Sequence, residues 1–133
     1  MTPRIARYSP KRQAILDCLR QTKAHPSTEW IYERLKPDYP RLSLATVYRN
    51  LSQLKCAGEV LSMGNVLGQE RFDGNSSPHT HVICTRCGTI LDVFEVTLPP
   101  ETVRDAEQHS GYSLTGADLR FEGLCPACRA KEQ

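Results

Sequence analysis

Apolar residues recur at helical spacing three times in the first half of the chain. Ala14, Ile15, Cys18 and Leu19 share one face, behind Ser9 as an N-cap and Pro10 at the first helical position, where a missing N–H costs nothing. Trp30, Ile31 and Leu35 mark a second, short helix, capped by Ser27 and ended before Pro37. The third pattern is the clearest. Leu44, Val47, Leu51 and Leu54 form one stripe after Ser43, and Gly58 supplies a left-handed stop. Its opposite face carries Ala45, Thr46, Arg49, Asn50, Ser52 and Gln53: small or hydrogen-bonding groups, one positive charge and no acid.

The period then changes to that of strands. Two β-rich stretches, 59–63 and 69–72, are separated by Gly64-Asn65 and Gly68, which predicts a hairpin in the position of a wing. Residues 74–78 (Gly-Asn-Ser-Ser-Pro) read as a linker. Beyond it the order is strand, strand, helix, strand. Val82-Ile83 lead into a cysteine pair, 89–96 continue as a strand, and Pro99-Pro100 open a helix through Val103 and Ala106 that Gly111 ends. Leu119 and Phe121 alternate in a last strand that delivers Cys125. The predicted class is therefore α+β: a DNA-binding type half at 1–73, a linker at 74–78 and a small α/β half at 79–133.

Charge adds a direction. Residues 1–73 hold 12 Lys/Arg against 7 Asp/Glu, a surplus of +5, and residues 74–133 hold 5 against 8, a deficit of −3, giving the net +2 of the 133-residue chain. A basic half beside an acidic half points to an anionic partner for the first. No apolar run approaches the ~20 residues of a membrane span. Met1 to Leu16 is basic but has no apolar core, so the reading expects no signal peptide and a cytoplasmic location.

Four of the six cysteines form two Cys-x-x-Cys pairs, Cys84/Cys87 and Cys125/Cys128. Each such turn aims two thiolates at one point, and two turns give the tetrahedral sulfur set that Zn²⁺ accepts. Gly88 and Pro126 suit the tight turns, and the site would pin the tail to the start of this half. A redox dithiol pair and an iron–sulfur cluster are the alternatives. Full sulfur ligation leaves no open position for catalysis. Cys18 and Cys56 read as buried apolar fillers on their helices, Trp30 as packing and His109 as a surface residue.

A second donor group surrounds His79-x-His81, with Asp73 upstream and Asp92 downstream. Alternate residues on one strand face opposite ways, so joint ligation needs a bend after Pro78. Such a nitrogen and oxygen set suits Fe²⁺, Mn²⁺ or Zn²⁺. Taken alone the signal is weak, because two histidines near a loop are more often solvated than ligating.

These motifs occur in a recognisable order: Ser9-Pro10-Lys11-Arg12-Gln13, His25-Pro26-Ser27, Ala45-Thr46-Val47-Tyr48-Arg49-Asn50-Leu51, Arg71-Phe72-Asp73, His79-Thr80-His81-Val82-Ile83-Cys84, and the two cysteine pairs. Together they resemble the ferric-uptake-regulator (Fur) family over nearly the whole chain, and within it the peroxide-responsive repressor branch most. The resemblance implies an N-terminal winged-helix domain, a C-terminal α/β dimerisation domain with a structural Zn²⁺ on the four cysteines, a homodimer and metal-dependent binding to double-stranded operator DNA. It implies a regulatory Fe²⁺ or Mn²⁺ on His25, Asp73, His79, His81 and Asp92, with His25 and His79 as the rings oxidised when peroxide meets bound iron. Iron-responsive relatives more often carry glutamates where Asp73 and Asp92 stand. Their further site around a His-His-Asp-His run is not expected, since Pro78 and Thr80 replace two of its ligands.

For DNA the reading assigns Arg49 to a base or phosphate, Tyr48 to a thymine methyl or phosphate, and Thr46, Asn50 and Gln53 to base edges, with Lys11 and Arg12 on phosphate. Tyr48 alternatively belongs to the core stripe beside Val47. The functional expectation is a repressor, not an enzyme, with peroxide as its signal and no other small-molecule substrate. The alternative is an iron-, zinc- or manganese-uptake repressor that senses metal concentration only. A mononuclear metal enzyme would leave the basic half unexplained and shows no general base beyond the ligands.

Overall fold

The computed structural model describes residues 9–77 and 79–131. Pro78, where the sequence places the bend before His79, lies outside the described residues, as do 1–8 and 132–133. The chain divides into two compact units, Met1–Ser76 and Ser77–Gln133. No helix among the described residues is long and apolar enough to cross a membrane.

The first unit is a winged helix. Its helices are α1 (Pro10–Arg20), α2 (Thr28–Leu35) and α3 (Leu44–Cys56), followed by the hairpin β1 (Leu61–Val66) and β2 (Gln69–Asp73). Each helix starts where the sequence places a serine cap. Ser9 Oγ accepts from the Arg12 N–H at 3.3 Å, Ser27 Oγ from Trp30 at 3.2 Å and Ser43 Oγ from Thr46 at 3.1 Å. Such caps contribute about 1 kcal/mol each by satisfying an otherwise orphaned N–H. The helices close over Ile15, Leu19, Ile31, Leu42, Val47, Leu51 and Leu54, with Val60 and Phe72 from the hairpin side, and Trp30 packs against this core.

Three details differ from the sequence reading. The hairpin turns at Leu67 and Gly68, with φ of 52° and 89°, but β1 continues through Gly64-Asn65 to Val66 instead of ending at Met63. Gly64 lies inside β1 at φ 71°, where the register between Ser62 and Asn65 is broken by a bulge that a glycine accommodates. Cys18 is buried as expected, but Cys56, the last residue of α3, is exposed, while Leu54 in the same turn faces the core. Asn50 is buried in the apolar stripe with Val47, Leu51 and Leu54 instead of standing on the open face.

The second unit holds β3 (Thr80–Cys84), β4 (Ile90–Val93), α4 (Pro100–Ser110), β5 (Arg120–Gly123) and α5 (Pro126–Ala130). The sheet runs β4-β3-β5, with β3 antiparallel to β4 and parallel to β5. β4 is shorter than the predicted 89–96, and α5 was not anticipated, although Cys125 caps it ahead of Pro126 at its first turn. Leu91, Val82 and Phe121 are register partners and form one row across the sheet. Leu91 is 62% and Phe121 47% exposed. α4 contributes no buried residue. His109 is exposed, its Nδ1 2.8 Å from the Asp105 carbonyl.

Gly74 closes the first unit against the end of α1. A Cβ there would lie 2.8 Å from the Leu19 carbonyl carbon and 2.9 Å from the Arg20 nitrogen, both main-chain atoms that cannot swing aside. Gly74→Ala is expected to destabilise the winged helix by about 1–3 kcal/mol, as overpacking does. A thermal melt with an unchanged midpoint would contradict this packing.

Candidate metal centres and nucleic-acid interface

The four cysteines of the second unit converge. One sulfur from each of Cys84, Cys87, Cys125 and Cys128 lies within 4.8 Å of the others. The two pairs are built alike. The Cys87 N–H donates to Cys84 Sγ and the Cys128 N–H to Cys125 Sγ, each at 3.4 Å. Gly88, at φ 79°, completes the first turn by donating to the Cys84 carbonyl at 2.9 Å. Register supplies the rest, since Cys84 ends β3 opposite Gly123 at the end of β5, two residues before Cys125.

The electrostatics fit a bound cation. Backbone hydrogen bonds, first from Cys125 and then from Cys87, lower the Cys84 thiol to about 5. The Thr89 hydroxyl and main chain lower Cys87. Cys128 is pushed up to about 12, foremost by its hydrogen bond with Cys125 and then by burial. Four thiolates this close repel one another unless a cation neutralises them. A divalent, thiophilic ion removes that conflict, and Zn²⁺ fits the donor set.

The imidazole and carboxylate residues form one cluster in each unit. In the first, His25 Nε2 lies 3.3 Å from Asp73 Oδ2, with both side chains buried. His25 sits in the left-handed region at φ 51°, a conformation that costs a residue with a Cβ roughly 1–2 kcal/mol. Strand β2 holds it there. Arg71 Nε donates to the His25 carbonyl and Arg71 Nη2 to the Ala24 carbonyl at 2.7 Å. The Phe72 N–H donates to the Pro26 carbonyl at 3.0 Å, and Ser27 bridges to Arg71. Burial lowers the Arg71 guanidinium from its usual value.

In the second unit, Asp92 Oδ1 lies 3.1 Å from His79 Nε2 and 3.2 Å from His81 Nε2. Register accounts for one contact, because His81 pairs directly with Asp92 across β3 and β4. His79 precedes β3, where strict alternation no longer applies, so its ring comes within 4.3 Å of the His81 ring. Its Nδ1 lies 2.7 Å from the Ser77 carbonyl, and Phe94 stacks on it at 5.0 Å. The roles of Arg71 and Phe94 were not visible in the sequence. The Arg71-Phe72-Asp73 run was the available pointer to the first.

On α3, Arg49 and Tyr48 are exposed and line a groove of 540 Å³ between the helix and the hairpin, with Ser52, Lys55 and Glu70. Tyr48 does not belong to the core. Its hydroxyl donates to Glu29 Oε1 at 2.8 Å, which raises its pKa because phenolate would lose that bond beside a carboxylate. Thr46 Oγ1 is 2.8 Å from Ser43 Oγ. The buried Asn50 donates from Nδ2 to the Thr46 carbonyl at 2.8 Å and accepts from Arg12 Nε at 3.2 Å. It therefore does not offer its amide to a base edge. Arg12 Nη2 donates to the exposed Gln53, and Lys11 is half-buried one residue earlier.

Residues 4–122 match the Ferric uptake regulator family. The chain is 37% identical to the peroxide-responsive repressor PerR of Staphylococcus aureus over 125 residues, 94% of this chain and 84% of that one. Among solved structures it is similar to the Campylobacter jejuni peroxide stress regulator, with 28% identity, a TM-score of 0.71 and coverage of 90% and 89% of the two chains. It is also similar to Streptococcus pyogenes PerR, whose structure concerns peroxide sensing and gene regulation, with 33% identity, a TM-score of 0.50 and coverage of 92% and 83%. The family match spans most of the chain and the curated relative nearly all of it, so this protein belongs to the ferric uptake regulator family of metal-responsive DNA-binding repressors.

Proposed function

We propose that this repressor senses peroxide through one regulatory ion held by His25 and Asp73 from the first unit and His79, His81 and Asp92 from the second. The carrying observation is that each unit presents an imidazole–carboxylate cluster, at 3.3 Å in one and 3.1–3.2 Å in the other. Each alone offers too few donors for a five-ligand site. Shared between the units, they make ligation dependent on their relative placement and the placement dependent on ligation. The ion acts only through its higher affinity for the DNA-competent arrangement. The identity to S. aureus PerR and the aspartates at 73 and 92 support the peroxide branch.

Fe²⁺ held there would supply transfer of one peroxide oxygen to a neighbouring ring, the other oxygen leaving as water, whereas Mn²⁺ would support binding without that chemistry. His25 or His79 would be the ring that accepts the oxygen. An oxidised imidazole would be a poorer ligand, so the two clusters would separate and DNA would be released. Zn²⁺ on the four cysteines is structural. The row of half-buried Val82 with exposed Leu91 and Phe121 supports burial against a second copy, giving a homodimer whose α3 helices enter successive major grooves about 34–36 Å apart. Arg49 and Tyr48 read that groove, and Thr46 and Gln53 flank them. Lys11 and Arg12 hold the backbone, with Asn50 orienting Arg12.

Iron-loaded protein treated with low peroxide is expected to lose operator binding and gain one oxygen atom on a peptide containing His25 or His79, while manganese-loaded protein keeps both DNA and mass. Equal retention in the two samples would favour the metal-only uptake repressor. His81→Ala or Asp92→Ala should abolish metal-dependent operator binding without unfolding the second unit; intact metal-dependent binding would refute the shared-ion reading. Arg49→Ala is expected to weaken specific binding by about 1–3 kcal/mol, measured against mismatched DNA at fixed salt. Stripping the cysteine cluster with a strong chelator should release one Zn²⁺ per chain and melt the second unit. Retention of its circular dichroism would show that the metal is dispensable for folding.

A further inference from the structure

We propose that Arg71 is a positioning residue for the regulatory metal site: it sets the His25 ring through the main chain without touching the ion. The inference rests on the reading of His25 as a ligand. The backbone of His25 sets the direction in which its side chain leaves the turn, and that backbone is in the left-handed region at φ 51°. A residue there relaxes toward common conformations unless its surroundings over-determine it. The Arg71 side chain is part of those surroundings. Arg71 Nε meets the His25 carbonyl while Nη2 meets the Ala24 carbonyl, so consecutive carbonyl groups converge on a single guanidinium. Its planar fork pre-organises both bonds, which an ammonium on a flexible stem cannot do.

Placement on the strand adds to this. Arg71 and Asp73 are alternate residues of β2, so their side chains leave the same face. Arg71 grips the main chain of the 24–25 turn, and Asp73 meets the ring of the residue so gripped. The Ser27–Arg71 bridge and the Phe72–Pro26 hydrogen bond prevent the turn from sliding along β2. The wing strand therefore sets the separation of His25 and Asp73 before any ion arrives, and a change in the wing reaches the site through Arg71.

The test is a double-mutant cycle on Mn²⁺ affinity in the full chain, by competition with a metal-binding dye, with melting of the metal-free variants as the folding control. Arg71→Met should weaken Mn²⁺ binding by about 10–100-fold, the effect usual for residues that orient a ligand from behind. Arg71→Lys, which keeps the charge and one donor, should fall between Met and the parent. In a His25→Ala background, Arg71→Met should add nothing, because its effect passes through His25. Unchanged affinity in Arg71→Met, or an equal loss with and without His25, overturns the proposal. Should Arg71→Met fail to fold, Arg71→Lys carries the same cycle. If His25→Ala alone leaves Mn²⁺ affinity unchanged, the ligand reading itself fails, a result distinct from a failure of Arg71 alone.

Discussion

Carboxylates pressed against imidazoles in places too dry to solvate them are the constraint on which this structure turns. His25, Asp73 and His81 are all nearly inaccessible to solvent. Removing such groups from water costs several kcal/mol per ion unless a partner or a metal compensates. The chain accepts that cost once in each unit, with residues drawn from a turn, a wing strand and two strands of a second sheet. Replacing a whole pair by apolar residues of similar volume is often neutral or stabilising, whereas removing one partner is not. Keeping donors there makes sense if they are completed by something the unfolded chain cannot bind as well, which ties occupancy to conformation.

The cysteine cluster solves a different problem. The second unit is small, with its inward-facing apolar content reduced to residues such as Ile83 and Ile90 and a helix, α4, that buries nothing in the single chain. A sheet of three short strands with so little behind it needs a staple. Two matched cysteine turns, one at the end of β3 and one beyond β5, hold its parallel edge where the hydrophobic contribution is least. The cysteine cluster and the His79–His81–Asp92 cluster stand on the same sheet, and under the proposed function the first would supply stiffness and the second sensitivity.

Much of this was legible in the chain. The three serine caps, the helical stripe ending at Gly58 and the cysteine spacing each encode a local rule, and the structure follows them. The His81–Asp92 contact needed only strand register. His25 was different: nothing in the periodicity marks a residue in a turn as a donor, and it entered through family resemblance alone. Asn50 was misplaced because polarity argued for the open face while geometry put it at the i+3 position from Val47. The stripe admits it because Thr46 and Arg12 satisfy its amide. The grip of Arg71 on the turn carrying His25 joins residues 46 apart in sequence, a separation that no local pattern reports.

The exposure of Cys56 has a practical consequence. Of the six thiols, four belong to the sulfur cluster and Cys18 is buried with its pKa raised by burial. Cys56 is exposed at the last residue of the helix lying against the groove, and it is the accessible sulfur outside that cluster. With the cluster thiols held by a metal, a fluorophore or spin label directed to Cys56 would attach at a known point and report on that helix without an engineered cysteine. The same accessibility makes it the place where two molecules handled without reductant would become covalently joined.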